Sequence, residues 1–320
     1  MGTIKPQANL GSLGLKQSIN FSCIIYHTYT AYLFICNNIK DIILLGFLFG
    51  ALNASVAPLF AMGPALRFHQ ILRAAPSMIL WSWSNLFLFN LHNQRHSKSI
   101  AEDSLNKPWR PLPTGRLTPK QATWVMYCMY PIVMAASLTT GGLVPCLLEA
   151  VSCLWYNELG GSSHPFLKNL LNGLGFACFF AGPFEVATEK SVLISDLKAV
   201  RWLAILGGAI TTTSHLQDFR DVEGDRATGR RTMPLVIGDL PARVACALGI
   251  AVWNSVACWF WTVGWRESIV ALTVGAAIIR RLLLDRSTGG DTFAWKLFPL
   301  WVIGLTLLPV LKVREGSTSQ

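Results

Sequence analysis

Asp218, Asp221 and Asp225 stand in the stretch QDFRDVEGDRATGR (217–230), directly after an apolar run that ends AILGGAITTTSHL. At about 100° per residue, positions i, i+3 and i+7 fall on one helix face. Three carboxylates on one face at the edge of an apolar run repel each other and are costly unless a cation offsets them. Mg²⁺ suits the task, because it takes oxygen ligands and commonly shares them with phosphate. A second reading stays open: a solvated acidic helix end neutralised by Arg220, Arg226, Arg230 and Arg231. Gly224 either ends the helix or lets another backbone come close.

A second polar stretch, 90–118, reads NLHNQRHSKSIAEDSLNKPWRPLPTGRLT. Asn90 and Gln94 share a helical face with Trp83 and Phe87. Glu102 and Asp103 follow, then a proline-braced turn in which Lys107 and Arg110 could hold an anion. Acids and bases in both loops suggest one pocket for Mg²⁺ and a diphosphate. Glu102, Asp103, Asp218, Asp221 and Asp225 are the metal candidates, with Asp103, Asp221 and Asp225 the catalytic core. Asn90, Gln94, Lys107, Arg110, Lys168 and Arg226 are the diphosphate candidates. On a helix Glu102 and Asp103 point about 100° apart, so both serve one ion only in a loop; the prolines that follow favour a loop.

Other residues carry two readings each. Lys168, beside Asn169 at the start of an apolar segment, binds phosphate or snorkels to the interface. His215 orients a carboxylate or packs in the core. His92 and His96 read as loop residues rather than ligands, and Asn157 lines a cavity or caps a helix. Trp81, Trp83, Trp155, Tyr156, Phe179 and Phe180 could face a carbocation or simply pack.

The elements that must position these groups are membrane helices. Of 320 residues, 52% are hydrophobic and 14% charged, and the mean hydropathy is +0.42, outside the range of soluble domains. Only helices or closed barrels satisfy the backbone in lipid, and the short alternating pattern of a barrel is missing. The expected fold is all-α, with nine spans at roughly 42–62, 76–94, 121–139, 142–157, 168–187, 200–217, 243–263, 267–284 and 293–311. FSCIIYHTYTAYLFIC (21–36) reads as an interfacial helix leading into the first span. Residues 1–20 read as a disordered lead-in rather than a cleaved leader, 21–312 as one transmembrane domain and 313–320 as a tail.

The net charge of +10 fits Lys- and Arg-rich cytosolic loops rather than nucleic-acid binding. Basic residues gather after the even-numbered spans, which places both polar loops and the N-terminus in the cytosol; Lys312 and Arg314 argue mildly the other way. The eight cysteines lie in or beside apolar runs without a C-x-x-C pair, as free thiols would. The sequence leaves the oligomeric state open.

NQRHSKSIAEDSLNKPWRPLPTGRLT together with DFRDVEGDRATGRRTMPL resembles the UbiA superfamily of intramembrane prenyltransferases, as does YNELGGSSHPFLKNLLNGLG (156–175). The resemblance spans nearly the whole chain after residue 20. It implies a nine-helix bundle that holds a prenyl diphosphate through Mg²⁺. The second family motif maps onto Asp218, Asp221 and Asp225. The first, typically N-D-x-x-D-x-x-x-D, is altered: Asp103 matches its last acid, Ser99 stands at the middle position, and Asn93-Gln94 lies one or two residues from the Asn-Asp pair. Glu102 would replace a lost carboxylate. This pattern resembles the fungal branch that contains membrane-bound terpene cyclases. The implied activity is cyclisation of farnesyl diphosphate, or next geranylgeranyl diphosphate, in terpenoid secondary metabolism at the endoplasmic reticulum. Transfer of the prenyl group to an aromatic or polyketide-like acceptor is the alternative. A non-catalytic scaffold is a third reading, against which the intact aspartate triad speaks.

Overall fold

Apolar runs become helices because in hydrocarbon each segment must pair its own N–H and C=O groups. A computed structural model describes residues 21–318, and none of these is in a β-strand. Helix α1 (Phe21–Ile35) passes through a π-helical turn (Ile39–Leu44) into α2 (Leu45–Ala54), with a 72° bend between the arms. Then come α3 (Phe68–Gln94), α4 (Ser97–Asn106), α5 (Pro119–Thr140) and α6 (Leu143–Asn157). Helix α7 (Pro165–Thr188) leads through a short α8 (Val192–Ser195) to α9 (Leu197–Thr213). A 3₁₀ stretch, Ser214–Asp221, hands over to α10 (Val222–Ala227) and α11 (Met233–Ile237). The chain closes with α12 (Asp239–Trp261), α13 (Trp265–Leu284), α14 (Thr288–Thr306) and α15 (Leu308–Thr318).

Local chemistry sets several boundaries. Thr118 and Gln121 form a reciprocal capping box at 3.2 and 2.9 Å, and Pro119 follows at the first helical position of α5. Gly141 and Gly142, with φ of 98° and 78°, reverse the chain between α5 and α6. Helix α7 packs against α2, α3, α6 and α9. Gly173 leaves no room for a Cβ against Gly207 and Thr211, so α7 and α9 cross closely there. That crossing brings the start of α7 beside the 3₁₀ stretch after α9.

The expected apolar segments overlap helices, although 42–62 runs past the end of α2 at Ala54 and 293–311 crosses from α14 into α15. Among the described residues, four helices are long and apolar enough to cross a membrane, Pro119–Thr140, Pro165–Thr188, Asp239–Trp261 and Thr288–Arg314, or five if the bent α1–α2 pair is one span. Helix α6 has 15 residues and α9 has 17, short of the roughly 20 that hydrocarbon requires.

Two expectations need revision. The segment carrying Glu102 and Asp103 is helical, not a loop; Ala101 and Leu105 favour helix, and the prolines act only beyond Asn106. His92 is no loop residue but sits buried in α3. The lead-in, residues 1–20, lies outside the described residues. All eight thiols are free; Cys146, Cys153, Cys178 and Cys246 are buried, while Cys23 and Cys128 are exposed.

Candidate active site

The end of α3, helix α4, the end of α6, the start of α7 and the 214–231 segment meet at one end of the bundle. Asp218 is buried and accepts from Lys168 Nζ at 2.7 Å. Asp225 is also buried, whereas the Asp221 side chain is 53% exposed and lies 3.4 Å from Arg220. The single acidic face therefore breaks at Asp221: it stands at the junction of the 3₁₀ stretch and α10, with φ −106° and ψ 5°. Burial raises the Asp225 carboxyl to about 6, against the pull of Arg230.

The first polar stretch is wired to the second. Asp103 is buried, and both its oxygens accept from Arg110 Nη1 at 2.8 Å. Glu102 instead accepts from Arg230 Nη1 at 2.8 Å, and the same nitrogen lies 3.5 Å from Asp225 Oδ1. Lys107 faces Asp103, Glu102 and Asp221; burial and the neighbouring Arg110 hold its ammonium below the usual lysine range. Arg226 is exposed and pairs with no acid among the described residues.

Asn90 and Gln94 are buried at the end of α3. Gln94 Nε2 donates to Phe34 O at 2.9 Å and to Asn90 Oδ1 at 3.2 Å, so its amide donors are committed. One turn and more below, Trp83 stacks on Phe87 at 5.4 Å, and Phe87 meets Phe34 edge-on. Trp81 is spent elsewhere: its indole donates to Gly142 O at 3.1 Å, and its ring packs on Phe179. Phe180 is buried against Phe49, whereas Trp155 is exposed. His215 packs in the core and meets Ala242 O at 3.0 Å.

Sequence reasoning missed Glu158. It sits at the end of α6 and gathers His92 at 2.6 Å, Arg95 at 2.5 Å and His96 at 3.3 Å, while Asn157 accepts from Asn93 at 3.0 Å. This hub pins α3 to α6. Its only signal was an acid in YNELGG, on the same side as a basic loop.

Several buried atoms at this end lack a partner: Asp218 Oδ2, Asn169 Oδ1 and Arg110 Nε. Free oxygens suit a hard cation, and a free guanidinium N–H suits a phosphate oxygen. Among the described residues no three His, Cys, Asp or Glu side chains are grouped to hold a metal by themselves. That agrees with the habit of Mg²⁺, which takes one or two carboxylates and completes its shell with phosphate and water. The residues present thus fit a metal–diphosphate pair rather than a metal alone. A cavity of about 890 Å³ opens at the other end of the bundle, lined by Arg73, Ser137, Glu185 and Lys190. It is roughly 26 Å from Lys168 along α7, by helical rise.

A profile of the UbiA prenyltransferase family matches residues 77–303. The fumagillin beta-trans-bergamotene synthase of Aspergillus fumigatus is 32% identical over 266 residues, covering 82% of this chain and 88% of that protein. A polyprenyl transferase of Hericium erinaceus is 32% identical over 200 residues, covering 60% of this chain and 67% of that protein. A UbiA homologue from Archaeoglobus fulgidus, solved with GPP and Mg²⁺, superposes with a TM-score of 0.56 at 13% identity, over 84% of this chain and 98% of that one.

Proposed function

The chain belongs to the UbiA prenyltransferase family, and from that premise we propose that it is a membrane-embedded terpene cyclase that ionises a prenyl diphosphate and cyclises the resulting cation. The observation that carries this is the 32% identity along 88% of a terpene synthase. The charged layer capping an apolar helix bundle supports it. Farnesyl diphosphate is the favoured substrate. Asp103, Asp218, Asp221 and Asp225 would supply the carboxylates for Mg²⁺, one or two to an ion, and the bound metal would neutralise charge on the leaving diphosphate.

The chain's own groups do the rest. Lys107, Arg110, Lys168 and Arg226 stabilise the diphosphate as the C–O bond breaks and its electron pair leaves with oxygen. The bundle keeps water from the allylic cation, and the Trp83–Phe87 stack offers aromatic surface to it. A double bond of the same chain attacks the cation, and loss of a proton closes the sequence: hydrocarbon, diphosphate and H⁺.

Nine spans, with both polar loops on the cytosolic face of the endoplasmic reticulum, are the topology this reading takes from the basic loops. Transfer to an aromatic or polyketide-like acceptor is the second reading, favoured by the 32% identity to a polyprenyl transferase. Purified protein incubated with farnesyl diphosphate and Mg²⁺, without acceptor, should release a cyclic hydrocarbon. Farnesol alone would favour the transferase.

A further inference from the structure

Glu102 and Asp103 are neighbours on α4, and the helix sends their carboxylates about 100° apart. Asp103 turns inward to Arg110. Glu102 crosses to the other polar loop and takes Arg230 Nη1 at 2.8 Å. That nitrogen is also 3.5 Å from Asp225 Oδ1, and the Arg230 backbone N–H donates to Asp225 O at 2.8 Å. The loops touch next to this point: a Cβ on Gly224 would meet Asn106 Oδ1 at 3.5 Å. One guanidinium therefore spans the two loops and lies within ion-pair distance of Asp225.

We propose that Arg230 is a positioning residue that clasps the two polar loops over the diphosphate, and that Glu102 is its strut rather than a metal ligand. Guanidinium suits the role: it is planar, permanently charged and carries five donors, enough for two carboxylates at once. The Glu102 and Arg230 side chains are 28% and 32% exposed, so the pair adds little to stability. Its effect falls on the placement of Asp225, and so on substrate binding. The clasp deepens the functional reading above when turnover is the readout, but its geometry is independent of which product forms.

A charge swap separates strut from ligand. Glu102→Arg and Arg230→Glu should each raise the KM for farnesyl diphosphate by about tenfold, the worth of roughly 1.4 kcal/mol, and change kcat less. The double variant should return to within about threefold of wild type. Arginine cannot ligate Mg²⁺, so such rescue excludes Glu102 from the metal shell. Glu102→Gln should leave the Mg²⁺ concentration for half-maximal rate within about twofold of wild type. If Arg230→Glu fails to fold, the neutral cycle of Glu102→Gln and Arg230→Gln replaces it, and their KM effects must be non-additive. The same variants are scored without turnover, by thermal protection from Mg²⁺ with inorganic pyrophosphate. If wild type makes no product from any prenyl diphosphate, the functional reading fails while this binding readout still tests the clasp. A double variant no better than its worse parent, additive neutral variants, or a Mg²⁺ requirement raised by Glu102→Gln would overturn the proposal.

Discussion

Two buried ion-pair regions in this bundle are built differently. Arg243 joins α12 to α13 and α14: it meets Asp291 through Nη1 at 2.6 Å and Nη2 at 2.8 Å, Asp239 through Nε at 2.8 Å, and Leu282 O at 3.2 Å. Every nitrogen is used. At the polar end, Lys168–Asp218 and Arg110–Asp103 are as short, yet Asp218 Oδ2 and Arg110 Nε stay without partners. A closed pair locks helices together. An open pair retains bonding capacity in a buried place, which costs stability and is expected where a ligand completes the set.

Breaking the closed pair should cost most. Asp291→Ala leaves Arg243 buried between Asp239 and Leu282 with its main partner gone, a loss of about 3–5 kcal/mol. Folded yield and melting temperature in detergent are the readouts; a variant that melts like wild type would remove the distinction drawn here.

Asp221→Asn is the opposite case. Its side chain is exposed and its ion pair is with Arg220 at 3.4 Å, so melting should not change. Turnover should fall by at least about 10²-fold, the scale for one lost electrostatic group in an active site. Near-normal turnover at saturating Mg²⁺ would take Asp221 out of the metal set.

Asp225 lies between these extremes. Its folded value of about 6 is above the ordinary 3.8. Between these values the folded chain holds a proton that the unfolded chain has released, so this group's contribution to stability falls as pH rises from about 4 to 6 and is flat above. In EDTA at pH 7.5, Asp225→Asn should therefore melt higher than wild type, by at most about 3 kcal/mol, the worth of roughly two pH units. The gain should vanish near pH 4. Equal melting at both pH values would mean that burial does not penalise the charged form.

The smallest effect is expected at Ser99, half-buried on α4. Ser99→Ala should keep turnover within about twofold, since a hydroxyl binds Mg²⁺ far more weakly than a carboxylate.

What the sequence made legible follows from the range of each interaction. Apolar runs announced the helices, because span length and backbone pairing are set locally. Face sharing within α3 was readable too: Gln94 meets Asn90, and Trp83 stacks on Phe87, four residues apart in each case. Partners between distant segments were not readable. Glu102 and Arg230 are 128 residues apart, and no spacing rule links them. The helix at Ser97–Asn106 was obscured by the prolines after it, so Glu102 was grouped with Asp103 when the two carboxylates diverge.

The central claim is that one prenyl diphosphate is ionised and closed on itself within these loops and helices. The most direct measurement is a product balance: purified chain in lipid nanodiscs, farnesyl diphosphate and Mg²⁺, no acceptor, with diphosphate release and cyclic hydrocarbon quantified from the same reaction. The account predicts equimolar amounts, both lowered by at least about 10²-fold in Asp221→Asn. Diphosphate released without hydrocarbon, or near-normal hydrocarbon in Asp221→Asn, would contradict it.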